Sequence, residues 1–340
     1  MRRRVSHSIS AHYPETLIGY GTTAHLREEL SSARSLLHSG GQPHSVRLPI
    51  GVGYLGWKLD EAGEKAYPFL DAALQSNVRA IWLSFGHDLG RWVDYIRDND
   101  KETGRKTYVF IQVNSLEEAL KAVNIWKADV LVAQGTGCCH LTSLCSHSHE
   151  FAGIEAGGHG GGYAPPVFSL VSSILAAIPQ GCPPVLAAGG IANGTQIAAF
   201  LALGASGAVL GTRFLLTPEA QYTGPQKAAL ISADSTSTVR TLAFDRARGT
   251  LGWPEGIDGR GLRNQLVEDI ENDTEIETVK SKFAEATKFG LPDYSIIWAG
   301  TGVGEMHELM DAQVGTLVST DPDPPFTETW FAGCRQGAVP

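Results

Sequence analysis

Short apolar runs, each closed by glycine or a polar residue, recur along this chain, and a longer stretch with helical periodicity follows each one. The strand-like runs fall at 16–20, 46–53, 80–85, 107–113, 130–133, 184–188 and 208–211. The periodic stretches fall at 23–37, 60–76, 92–98, 116–126, 167–178 and 193–203, with another after Pro218. Strand–helix repetition of this kind implies a parallel sheet with right-handed crossovers. The fold class expected is α/β, a (β/α)8 TIM-type barrel. Such a barrel needs eight strands, and only seven units are countable, so either the sheet is open or one strand is missing at the N-terminal end. Residues 5–9 alternate apolar and polar and offer only a poor edge strand. From 241 the pattern loosens into Gly, Pro and Trp, with one charged helix near 275–288 and a loop at 321–325. The chain is therefore expected to divide into a barrel at 1–240 and a C-terminal extension at 241–340 that packs over the barrel mouth.

Two of these strand ends open into glycine-bearing turns. The run 184–192, PVLAAGGIA, leads into a helix, and the next strand ends at Gly211-Thr212-Arg213-Phe214. Glycines at a strand end let backbone N–H groups approach an anion closely, without help from any side chain. One Gly-Gly pair is as often a plain tight turn. Two in consecutive βα units match the place where barrels of this kind bind phosphate, after strands seven and eight.

Composition sets the outer limits. Of 340 residues, 43% are hydrophobic and 19% charged, so a large core is affordable and disorder is excluded. A net charge of −9 with no basic stripe argues against nucleic acid as the partner. No run of apolar residues is long enough to span a membrane, and residues 1–10 lack the apolar core of a secretion signal. The five cysteines, three of them at 138, 139 and 145, form no spaced disulfide framework, so a reducing, cytoplasmic setting is expected.

The stretch 154–162, IEAGGHGGG, sets His159 in a glycine-rich loop at the barrel top. An imidazole there can handle protons near neutral pH, and the glycines leave room for a ligand against the backbone. Composition alone would equally allow a flexible turn. Among other candidates, His87 reads as a solvated loop residue, and Trp57, Trp82 and Trp126 read as core or helix packing.

The succession VLVAQG, EAGGHGGG, PVLAAGGIANG, ALGASGAVLGTRFL and IIWAGTGVG resembles the nitronate monooxygenase (2-nitropropane dioxygenase) family, FMN enzymes built on a TIM barrel. LPIGVGYLGW at 48–57 and FDRARGTLGWPEGIDGRGLRN at 244–264 resemble its fungal and related members. The resemblance implies oxidation of an alkyl nitronate, and of nitroalkanes where a proton is first removed, by FMN and O2 to a carbonyl compound and nitrite. It implies that His159 is the catalytic residue. It also implies that Gly189, Gly190, Gly211 and Thr212 hold the flavin phosphate, and that Gly157 and Gly158 lie along the flavin. Gln112 and Gln134 would contact the ring or the ribityl chain, and Trp298 with 300–304 would cap the pocket. Small-molecule nitronate and O2 are the partners implied.

Against that family pattern two departures stand out. The Pro-Met strand that opens family members is not found before Thr16. Residues 136–153 form an 18-residue insertion between positions adjacent in the family. Cys138, Cys139, His140, Cys145, His147 and His149 lie within it, but their spacing matches no common ligand pattern, and no metal site is expected. A retained intron explains the insertion more economically. Two other readings stay open: an FMN-dependent reductase of enoyl thioesters on the same barrel, and a degenerate barrel that no longer holds flavin.

Overall fold

The computed structural model describes residues 7–11, 22–37, 47–135, 155–179, 182–312 and 332–335. The strand expected at 16–20 and the insertion at 136–153 lie outside them. The main sheet has eight strands in the order β11-β1-β2-β3-β4-β5-β7-β8. They are β1 (His7–Ala11), β2 (Leu48–Leu55), β3 (Val78–Ser84), β4 (Tyr108–Val113), β5 (Val130–Gln134), β7 (Val185–Ala188), β8 (Gly207–Val209) and β11 (Ala332–Arg335). Every pairing among them is parallel. Helices α1 (Thr23–Leu37), α2 (Gly56–Ala62), α3 (Tyr67–Gln75), α4 (Gly90–Thr103), α5 (Leu116–Asn124), α6 (Val167–Ala177) and α7 (Gly194–Leu203) alternate with the strands, as the periodicity predicts.

Both faces of the curled sheet are apolar. Leu48, Ile50, Val52, Ile81, Leu83, Val109, Ile111 and Leu131 point outward and pack beneath the helices. The alternate residues Ala80, Phe110, Val130, Val132, Ala188 and Val209, from β3 round to β8, pack on one another inside. Trp82 and Phe110 stack there, with ring centroids 6.1 Å apart. Local chemistry ends and starts the helices. Ser115 caps α5 by accepting the Glu118 N–H, Asn193 caps α7 by accepting the Gln196 N–H, and Gly204 closes α7 in the left-handed region.

One edge departs from expectation. Residues 7–11 are a paired strand inside the sheet, flanked by β2 and by β11 from the far end of the chain. Unpaired N–H and C=O groups at a sheet edge invite another strand, and position in the sequence does not restrict which. Among the described residues no ladder joins β8 to β11.

A second, three-stranded antiparallel sheet, β6-β10-β9, consists of β6 (Gly158–Gly161), β10 (Ile257–Leu262) and β9 (Thr238–Thr241). The glycine-rich stretch is thus a strand, not the loop its composition suggested. Glycines carry no side-chain alternation, so its pairing with β10 leaves no trace in the local pattern. Among the described residues the remaining α-helices are α8 (Thr212–Leu215), α9 (Gly224–Ser232), α10 (Ala243–Arg248), α11 (Gln265–Glu271) and α12 (Ile276–Phe289). α10, α11 and α12 bury Phe244, Leu266, Val267 and Val279 against Trp298, a core separate from that of the barrel.

Candidate active site

β7 and β8 are neighbours, with Ala188 in register with Val209, so the turns that follow them leave the sheet at one end, side by side. Gly189 (φ 118°) and Gly190 (φ 68°) occupy backbone conformations that side chains avoid. The amides of Gly190, Gly211 and Thr212 have no hydrogen-bond acceptor among the described residues. A Cβ placed on Gly211 would meet nothing within 4 Å. Backbone amides without an acceptor, with open space beside Gly211, suit an anionic group.

A strap from Trp298 to Glu305 fastens these turns together. The Gly300 N–H donates to Thr212 Oγ1 at 2.9 Å, and the Thr301 N–H donates to the Glu155 carbonyl at 3.0 Å. Gly302 lies so close to the Gly190 carbonyl oxygen that any Cβ there would collide with it. Gly157 is equally confined, since its Cβ would come within 2.5 Å of the Gly300 nitrogen. The strap expected to cap the pocket therefore lies directly on the glycine turns.

Gln112, on β4, and Gln134, on β5, both point into the barrel. Gln112 Nε2 donates to Gln134 Oε1 at 2.9 Å, and Asn114 Nδ2 donates to the same oxygen at 3.1 Å. Gln134 Nε2 then donates to the His159 carbonyl oxygen at 3.2 Å. A chain of amides thus runs from the barrel interior to the strand that carries the imidazole.

The His159 side chain is 2% exposed. Its Nε2 lies 3.0 and 3.1 Å from the two carboxylate oxygens of Asp245, a fully buried residue in the first turn of α10. The Thr250 hydroxyl (2.8 Å) and Trp253 Nε1 (3.0 Å) donate to the same carboxylate. The Arg248 guanidinium stands 3.8 Å away. Trp253 stacks on the imidazole, centroid to centroid 3.8 Å with the planes 13° apart, and Trp298 flanks it at 5.0 Å. Trp57 and Phe85 pack against Trp253 at 5.3 and 5.9 Å. Trp57, expected in ordinary packing, is therefore part of the aromatic wall near the imidazole, whereas His87 is exposed.

Burial pushes the His159 pKa below its ordinary value, and the opposing pull of Asp245 does not offset it. Burial pushes Asp245 upward, but His159, Thr250 and Arg248 together outweigh it and hold the carboxyl below its usual range. Burial thus disfavours the imidazolium, while the surrounding donors favour the carboxylate. Arg240, on β9, secures the strand from behind. Its side chain is 2% exposed, and its guanidinium donates to the carbonyls of Ala156 (3.1 Å), Gly160 (3.1 Å) and Asp258 (2.7 Å) and to Asp258 Oδ1 (2.7 Å). Burial lowers the Arg240 pKa, against the pull of Asp258. Asp245, Trp253 and Arg240 were not singled out from sequence. The first two sit in the 244–264 stretch, whose resemblance to the family was visible without any role for its residues.

A curled parallel α/β sheet with glycine turns at neighbouring strand ends and a buried His–Asp pair beside them defines the class as an α/β barrel-type fold. The family model described as nitronate monooxygenase matches residues 151–319. Nitronate monooxygenase npaC of Metarhizium robertsii is 32% identical over 306 residues, covering 84% of this chain and 77% of that protein. A nitronate monooxygenase of Neurospora crassa is 29% identical over 297 residues, covering 82% and 72%. The solved structure of FabK from Thermotoga maritima superposes with a TM-score of 0.60 at 24% identity, over 87% of this chain and 80% of that one, a likeness of fold alone. The chain belongs to the nitronate monooxygenase family. It is a flavin oxidoreductase with a small-molecule substrate and oxygen as its reactants. No helix among the described residues is long and apolar enough to cross a membrane.

Proposed function

We propose that this chain oxidises an alkyl nitronate with FMN and O2 to a carbonyl compound and nitrite, and that His159 is its catalytic residue. The observation that carries the reading is the buried imidazole, paired with Asp245, on a strand adjoining the glycine turns. The amides of Gly189, Gly190, Gly211 and Thr212 would hold the FMN phosphate. Gly157 and Gly158 would lie along the flavin, and the Gln112–Gln134 pair would meet its polar edge. Bound there, the flavin supplies the redox chemistry with oxygen. The protein's part is to orient the nitronate by hydrogen bonding from His159 and, with a neutral nitroalkane, to take its α-proton. The walls of Trp57, Trp253 and Trp298 keep water from the reacting carbon.

Purified protein should be yellow, release nitrite from ethyl nitronate and consume oxygen. A His159→Asn variant should keep its flavin spectrum and lose about 100-fold or more in turnover. Unchanged kinetics in that variant would remove the assignment. NAD(P)H consumption with an enoyl thioester, in the absence of nitronate turnover, would replace the whole reading.

A further inference from the structure

We propose that Arg240 is a positioning residue that sets the place of His159 through the main chain of β6, and that the forked shape of its guanidinium, not its charge, does this. The proposal deepens the reading above and rests on it for the reaction. β6 carries Gly158, Gly160 and Gly161, with Gly157 just before it, so His159 stands in a backbone of unusual freedom. Within its sheet β6 is an edge strand, laddered to β10. One short ladder holds such a strand loosely, whereas a displacement of about 1 Å at a reacting group can cost on the order of 100-fold in rate.

Arg240 supplies a second constraint. It lies on β9, the far strand of the sheet, in register with Arg260 of β10, which is in turn in register with Gly158. Its side chain crosses β10 to reach β6. Nη2 donates to the Ala156 carbonyl and Nη1 to the Gly160 carbonyl, both at 3.1 Å, so the two arms of the fork hold the main chain on either side of Gly157, Gly158 and His159. Nη1 also donates to the Asp258 carbonyl and to Asp258 Oδ1, at 2.7 Å each, which fixes the guanidinium over the central strand. Gln134 Nε2 takes the His159 carbonyl at 3.2 Å. The carbonyls at 156, 159 and 160 are thus each gripped by a side chain from another element. Arg260, the neighbouring buried arginine, turns its guanidinium to Thr238 Oγ1 at 2.6 Å instead. Arg240 Nε is buried without an acceptor, a loss to stability that accompanies the reach of the two arms. A lysine could keep the pairing with Asp258, but its ammonium offers one nitrogen where the fork offers two.

The test compares the full-length flavoprotein with Arg240→Lys, with kinetics measured well below the Tm of both. Hydrogen exchange of the segment 155–161, read by mass spectrometry, should quicken by about tenfold or more, while exchange in β7 and β8 stays within about twofold. With ethyl nitronate, kcat should fall by about tenfold or more and KM should stay within about threefold. Flavin content per chain should be unchanged, because the turns proposed to hold the phosphate do not depend on Arg240. Unchanged exchange at 155–161, or wild-type kcat in Arg240→Lys, would overturn the proposal, since charge alone would then suffice. A lowered Tm with intact kcat would assign Arg240 to the fold alone and overturn it as well. Asp258→Asn removes the ion pair but leaves the main-chain acceptors, so its kcat should stay within about threefold of wild type, and a loss of about tenfold would also overturn the proposal. Should Arg240→Lys fail to fold, Asp258→Asn still decides. Should the wild type oxidise no nitronate, the reading of function fails, while the exchange comparison still tests the grip on β6.

Discussion

His159 and Asp245 carry consequences for stability as well as chemistry. Since burial holds the folded-state pKa of His159 below its ordinary 6.5, the unfolded chain takes up that proton at a pH where the folded chain does not. Stability therefore falls as pH drops below about 6.5. Asp245, depressed below 3.8, works in a lower window: its contribution is complete above that value and is lost as pH falls through the folded pKa. Thermal melts between pH 7 and pH 5 should show a steeper loss of Tm for wild type than for His159→Asn. Parallel slopes would mean that the imidazole is not buried neutral. The imidazole itself was legible from its glycine neighbours. Its partner was not, because Asp245 lies 86 positions away and only the packing of α10 brings the carboxylate to it.

At the scale of elements, the periodic helices and apolar strands of the barrel appear where their sequences place them, α1 and α6 among them. Those elements bury a face at a fixed period, so the local sequence records their partners indirectly. The strand β6 and the 298–305 strap show no periodic apolar stripe: the strap buries Trp298, Ala299 and Val303 at irregular intervals, and both segments are shaped largely by close backbone approach. Two glycines separate that role from the proposed contact with phosphate. Gly302→Ala sets a methyl group against the Gly190 carbonyl, a backbone atom that cannot swing aside, and should destabilise the protein by about 1–3 kcal/mol. Gly211→Ala has φ −100° and open space at its Cβ. Its stability should stay within about 0.5 kcal/mol of wild type while FMN binding weakens, because the methyl group fills the anion's place. Denaturant titration and flavin-release measurements on the two variants test the distinction. A stable Gly302→Ala, or full FMN affinity in Gly211→Ala, would contradict it.

Across the whole molecule, the two ends of the 136–153 stretch return to nearly the same point. A single position, the Cβ of a residue at Gly189, would lie 2.8 Å from the Gly135 carbonyl oxygen and 3.1 Å from the Ala156 Cβ. Val167 reinforces the closure: it packs on Gly135, and its N–H donates to Glu155 Oε2 at 2.6 Å. Contacts among described residues thus hold Gly135 close to Glu155 and Ala156. Removing residues 136–153 should change stability by no more than about 1–2 kcal/mol, since the entropy of closing a surface loop depends only weakly on its length. Flavin content per chain should equal or exceed that of the full-length protein. An insoluble or colourless deletion variant, beside a yellow full-length protein, would show that the stretch is needed. Edge pairing belongs to this scale too, with β11 coming from the opposite end of the chain to lie beside β1.

The alternation of elements, the curled α/β barrel and the glycine turns at two adjacent strand ends were determined by the sequence alone. Each rests on a local rule: hydrophobic period, capping, or the backbone freedom of glycine. Tertiary structure alone decided that a glycine-rich stretch becomes a strand under β10, and that Asp245 and Trp253 enclose the imidazole. It also decided that Arg240 grips that strand from behind. These are contacts between segments about 80 or more residues apart, and local periodicity holds no record of which distant segment will fill a given space.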